Sequence, residues 1–148
     1  MMNQKLEQVE TTETFRKLAC SAWKHPRDPS TYMTLTLDSD PIDQYVVTQR
    51  AAGHSSIDRL SVLCVLLGQV IETIPSFSYI YQRGHLKKRQ GVRLFVPVMI
   101  FDKKPIDLYG ISLEDPHKQP IDKLADEIKT KTQQVCRNQD PQIRRVRR

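Results

Sequence analysis

The sequence predicts an α+β fold in one domain, and three observations lead to it. The run from Ile57 to Ile74 carries apolar residues at three- and four-residue steps, the signature of a helix with a wide buried face. Two stretches of strand character follow it, Ser78 to Tyr81 and Val92 to Phe101, and an amphipathic run from Ile121 to Asn138 lies beyond them. Helices and strands succeed one another without strict alternation, which favours layered α+β packing over a doubly wound parallel sheet. At 148 residues and 39% hydrophobic content the chain has material for one ordinary core and too little for two.

In chain order, residues 1–12 are polar and read as a flexible N-terminus. Glu13 to Trp23 suits a short helix with Phe15, Leu18, Ala19 and Ala22 on one side, broken by Pro26 and Pro29. Tyr32 to Asp38 alternates with period two and is rich in β-formers, so it reads as a half-buried strand. Asp40-Pro41 opens a second helix, with Asp40 as cap, running to about Arg50 and ending before Gly53.

The central helix is capped by Ser55, with Asp58 three residues on, and stopped by Pro75, which has no N–H to donate. Its apolar face is expected to be buried against a sheet containing the Tyr32 and Val92 strands. Tyr79 to Lys88 reads as a hairpin turning at Arg83-Gly84, and Asp102 to Pro105 as a turn. A further strand from Ile106 to Leu113 is interrupted at Gly110, and Glu114 to Pro120 is loop. In the last helix Ile121, Leu124, Ala125, Ile128 and Val135 face inward.

The net charge of +6 is concentrated in two places. Nine of the 23 basic residues lie in Arg83–Arg93 and in the tail 142–148, so the remaining 14 face 17 acids. Such patches are commonly solvated faces. Aromatic residues at alternate strand positions, here Tyr79 and Tyr81, are usually core on one face, so nucleic acid is not the expected partner. Cys20, Cys64 and Cys136 show no paired or metal-ligand spacing; no disulfide framework and no metal site are expected, and Cys64 reads as core. No run approaches the roughly 20 apolar residues of a membrane span, and the polar start lacks a signal-like apolar stretch. No membrane partner and a cytoplasmic location are expected.

Arg16-Lys17-Leu18-Ala19, Trp23-Lys24 and Pro26-Arg27-Asp28-Pro29, followed by the Tyr32 to Asp38 strand, resemble the opening of the catalytic domain of 2-oxo acid dehydrogenase acyltransferases. Gly53 to Asp58 leading into the long helix, Pro75, Gly84 to Arg89, Phe95-Val96-Pro97-Val98, Asp107 to Gly110 and Ile121 to Ile128 follow in the family's order. The resemblance covers about Phe15 to Asp140 and corresponds to the N-terminal half of that domain. It assigns residues 13–141 to an acyltransferase-like domain and leaves 142–148 as a basic tail.

The resemblance implies a chloramphenicol acetyltransferase-like fold, a mixed sheet flanked by helices, truncated here, and usually trimeric. It also implies coenzyme A as substrate, as acyl-CoA, with no covalently bound cofactor, and either a homo-oligomer or a complementing chain. The family's base is the His of an H-x-x-x-D-G motif in the second half of its domain, assisted by a hydroxyl that stabilises the oxyanion. That motif does not occur in these 148 residues. The expectation is therefore an acyltransferase-like protein with no catalytic residue of its own. The alternative is a non-enzymatic binding or assembly module using the basic patches, with nucleic acid or an acidic partner as what they meet.

Individual candidates are weak. His54-Ser55-Ser56-Ile57-Asp58 spells H-x-x-x-D, but Arg59 follows in place of Gly, and an acid opening a helix has its own reason to be there. Arg16 matches the family position that forms a structural ion pair with the motif's Asp. Ser78 stands where the family usually has Asn. His25, His85 and His117 lack acid or thiol partners at useful spacing.

Overall fold

The computed structural model describes residues 6–8, 14, 18, 32, 34–82, 85–100 and 107–137. Its elements are strand β1 (Leu6–Gln8), helix α1 (Asp40–Ala51), helix α2 (Arg59–Thr73), a 3-10 turn (Pro75–Ser78), strands β2 (Tyr79–Gln82), β3 (His85–Arg89), β4 (Arg93–Ile100) and β5 (Asp107–Glu114), a second 3-10 turn (Pro116–Lys118) and helix α3 (Ile121–Cys136). The class is α+β. Two compact units are formed, one from Met1–Asp38 with Ile71–Gln90 and the other from Ser39–Val70 with Gly91–Arg148.

The first unit holds an antiparallel sheet in the order β1-β3-β2. Strands β2 and β3 pair as a hairpin with Gln82 opposite His85; the expected turn residues Arg83 and Gly84 lie outside the described residues. Strand β1 adds to the far edge of β3, placing Glu7 opposite Lys88, where the sequence reading has only a polar chain end. A three-residue strand carries no periodic signal; the unpaired N–H and C=O groups of the neighbouring strand give it its place. Thr14 and Leu18 are helical, and the rest of the expected Glu13 to Trp23 helix lies outside the described residues. The Tyr32 to Asp38 strand is not formed: Tyr32 and residues 34–39 join no ladder, and Tyr32 is 89% exposed. Period-two alternation needs a partner strand and a covered face, and these residues have neither among the described ones.

The core of the second unit is built on the β4–β5 hairpin, paired from Arg93 opposite Glu114 to Ile100 opposite Asp107. Strand β5 runs unbroken through Gly110, contrary to the expected interruption. Alternation sends Leu94, Val96, Val98, Tyr109, Ile111 and Leu113 to one face, where α3 covers them with Leu124, Ile128 and Val135 and α2 contributes Cys64. Val46 of α1, Ile57, Val62 of α2 and Ala125 of α3 form an adjoining cluster. The inward face of α3 is the one its spacing predicts, with Ile121 half-buried.

The hairpin's open end is closed by a polar latch. Val92 N–H donates to Asp115 Oδ1 at 2.8 Å, and Asp115 N–H donates to the Val92 carbonyl at 2.7 Å. Asp115 takes the left-handed conformation, φ 45°, which an aspartate tolerates better than most residues. Gly91, at φ 80°, leaves room for the carboxylate; a Cβ there would lie 2.9 Å from both of its oxygens.

Both expected caps move. Ser39, not Asp40, is the N-cap of α1, and Pro41 sits in its first turn. The cap of α2 shifts by one turn: Ser61 N–H donates to Asp58 Oδ1 at 2.8 Å while Asp58 N–H donates to Ser61 Oγ at 3.0 Å. This is a reciprocal capping box built on Asp58-x-x-Ser61. Ser55 is left in the preceding turn because buried Ile57 and the bond from Arg50 Nε to the Ile57 carbonyl, 2.9 Å, hold that segment out of the helix.

The burial of α2 is also corrected. Its inward side is narrow, with Ser61, Val62, Cys64 and Gly68 buried, whereas Leu60, Leu63, Leu66, Leu67 and Val70 are exposed, Leu66 at 43%. Among the described residues no Tyr32 strand forms to extend the expected sheet partner. At Gly68 the ring of His117 fills the place a side chain would take; a Cβ would lie 2.7 Å from its Nδ1.

Candidate functional site

His54 and Asp58 are held apart from chemistry by their backbone setting. His54 is exposed, with its N–H on the Gln49 carbonyl at 3.1 Å and its carbonyl receiving Ile57 N–H at 3.2 Å. The Asp58 carboxylate is committed to the α2 cap. Arg16 and His25 lie outside the described residues, as does Cys20. His85 is exposed on β3, Ser78 is half-buried at the end of its 3-10 turn, and His117 packs against α2. The H-x-x-x-D pair of His54 and Asp58 is thus not assembled as a base and its partner.

The Cys64 thiol is buried, and burial, helped by the Asp58 charge, pushes its pKa up, the reverse of what a nucleophilic thiolate requires. Cys136 is exposed and free. Among the described residues no group of three His, Cys, Asp or Glu side chains could hold a metal ion. None of the helices there is long and apolar enough to cross a membrane.

Acids with lowered pKa values are structural. Asp115 is held down first by the Val92 N–H and then by Lys118, whose Nζ lies 3.4 Å away. At Glu127 burial works upward, but hydrogen bonds from Lys131 and Gln119 outweigh it. Lys131 Nζ also donates to the Ser112 carbonyl at 2.7 Å, tying α3 to β5. Asp43 is lowered by its exposed ion pair with Arg59, which links α1 to α2.

What stands out is apolar surface. The outer face of the β4–β5 hairpin carries Phe95, Pro97 and Met99 across from Ser112, Gly110 and Leu108, and Phe95 is 68% exposed. The Phe95 ring lies over Gly110, where any Cβ would collide with it. Beside it Phe95, Pro97, Leu108, Tyr109 and Gly110 line an open depression of about 280 Å³. Together with the outward leucines of α2 this gives the second unit two apolar faces, with Tyr109 the one titratable side chain among the residues named. Contiguous surface of this kind marks interaction rather than catalysis. Sequence reasoning missed it because alternation tells which residues share a face and not which face is covered. Comparison of the chain with protein-family models, with curated proteins and with solved structures finds no match.

Proposed function

We infer that this chain is an acyltransferase-like assembly component, related to the coenzyme A-dependent acyltransferases of 2-oxo acid dehydrogenase complexes, that performs no acyl transfer itself. The α+β class and the order of the matching segments support the relationship, with the chloramphenicol acetyltransferase-like arrangement as its finer form. The observation that carries the assembly role is the pair of exposed apolar faces in the second unit, which a second copy or a complementing chain would cover. The setting of the described candidates supports inactivity. Proton removal from an acceptor and stabilisation of the oxyanion each need a positioned group, and His54 and Asp58 are engaged in a turn and a cap.

The test has two arms on purified chain. Coenzyme A release from acetyl-CoA with a dithiol acceptor should stay at background for wild type and for His54→Ala alike. Sedimentation should show association that rises with concentration, and Phe95→Glu should weaken it at least roughly tenfold, the scale of placing one charge in an apolar contact. Turnover lost on His54→Ala overturns the inactivity. A chain that remains monomeric at high concentration overturns the assembly role.

A further inference from the structure

The geometry points to a second, independent site: the face of β3 bearing His85, Lys87 and Arg89 is a binding surface for the phosphate backbone of single-stranded nucleic acid. The register sorts the hairpin's residues by face. His85, Lys87 and Arg89 alternate onto one side, with Gln82 and Ile80 of β2 and Gln8 and Leu6 of β1 at the positions opposite them. No acid occupies any of those positions. Glu7 stands opposite Lys88, and Tyr79 does too, so the hairpin's acid and that tyrosine belong to the other face. The expectation against nucleic acid rests on strand aromatics being core on one face; the pleat puts Tyr79 on the face away from His85, Lys87 and Arg89, which stands without it.

The cations on this face are available. His85 and Arg89 are exposed, and half-buried Lys87 donates to the neutral Gln82 amide at 3.3 Å. Among the side chains described no carboxylate pairs with Lys87 or Arg89.

Three features select the ligand. The row is linear, with successive members about 7 Å apart along the strand, which suits a chain of regularly spaced charges. Because β3 is the central strand, both its edges are already paired, so an acidic peptide cannot add by main-chain hydrogen bonds. Membrane recognition by charge alone uses clusters of about four to eight basic residues, and this face has fewer. A single strand is held instead by side chains alone, its phosphates on Lys87 and Arg89 and a base stacked on the flat ring of His85.

The experiment is anisotropy of a short labelled oligothymidylate with the full chain at several salt concentrations. Lys87→Gln with Arg89→Gln should lower affinity at low salt and flatten the log–log salt slope by about 1.4, two phosphate contacts on a single strand. Lys88→Gln, on the opposite face, should leave the slope unchanged and affinity within about twofold, and circular dichroism should show all variants folded. Wild-type behaviour in the double variant overturns the proposal, because binding then belongs to the arginine-rich tail. Equal losses in the Lys88 variant overturn the face assignment. Anionic vesicles bound as tightly, through the same two residues, would make the ligand a membrane.

Discussion

Two residues show how local fit decides stability. Gly68 is buried because the His117 ring occupies its missing side chain. Gly68→Ala gains up to about 1 kcal/mol of helix propensity but forces the ring aside, at about 1–3 kcal/mol for overpacking, so a net loss is expected in urea unfolding. In a His117→Ala background the same change should stabilise, and a double-mutant cycle reads the difference. A penalty that persists without the ring would place the constraint elsewhere. Asp115 supplies a pH signature. Its folded pKa is depressed by the Val92 N–H, so its contribution is present above the unfolded value of about 3.9 and is lost as pH falls through the folded one. Asp115→Asn, which tolerates the same φ, should flatten the acid limb of stability against pH below about 4, and an unchanged limb would assign it to Glu127 or Asp43 instead. Neither residue was legible beforehand. Gly68 sits in an apolar run like any helix glycine, and Asp115 looks like loop until Val92 is brought beside it.

At the scale of elements, the sequence is legible where one face is buried by a neighbour close in the chain. The Leu124, Ala125, Ile128 and Val135 stripe and the hairpin strands on either side of Arg83-Gly84 were all visible. It misled where a pattern needed a distant partner: the Tyr32 segment alternates but has no ladder, and α2 is apolar nearly all round yet covered on one side. That difference is measurable. Leu124, fully buried, should lose about 2–5 kcal/mol on change to Ala, whereas Leu66→Ala should cost under about 1 kcal/mol in the monomer. Comparable costs, with unchanged denaturant slopes, would show that the α2 face is covered after all.

Across the whole molecule, the α+β class was legible and the candidate site was not, since the apolar faces and the cationic row exist only once register and packing are known. One more consequence lies in the succession of β4, β5, the second 3-10 turn and α3. Strands β4 and β5 pair as a hairpin and α3 packs on β5 within Gly91–Cys136, so most of the main core of the second unit closes short loops, with Cys64 of α2 a long-range addition. Such low contact order favours fast folding, with this stretch as the nucleus and α1 arriving late. Leu113→Ala should therefore slow refolding, while Val46→Ala should chiefly speed unfolding. Chevron plots with the two effects exchanged would make α1, not the hairpin, the place where folding begins.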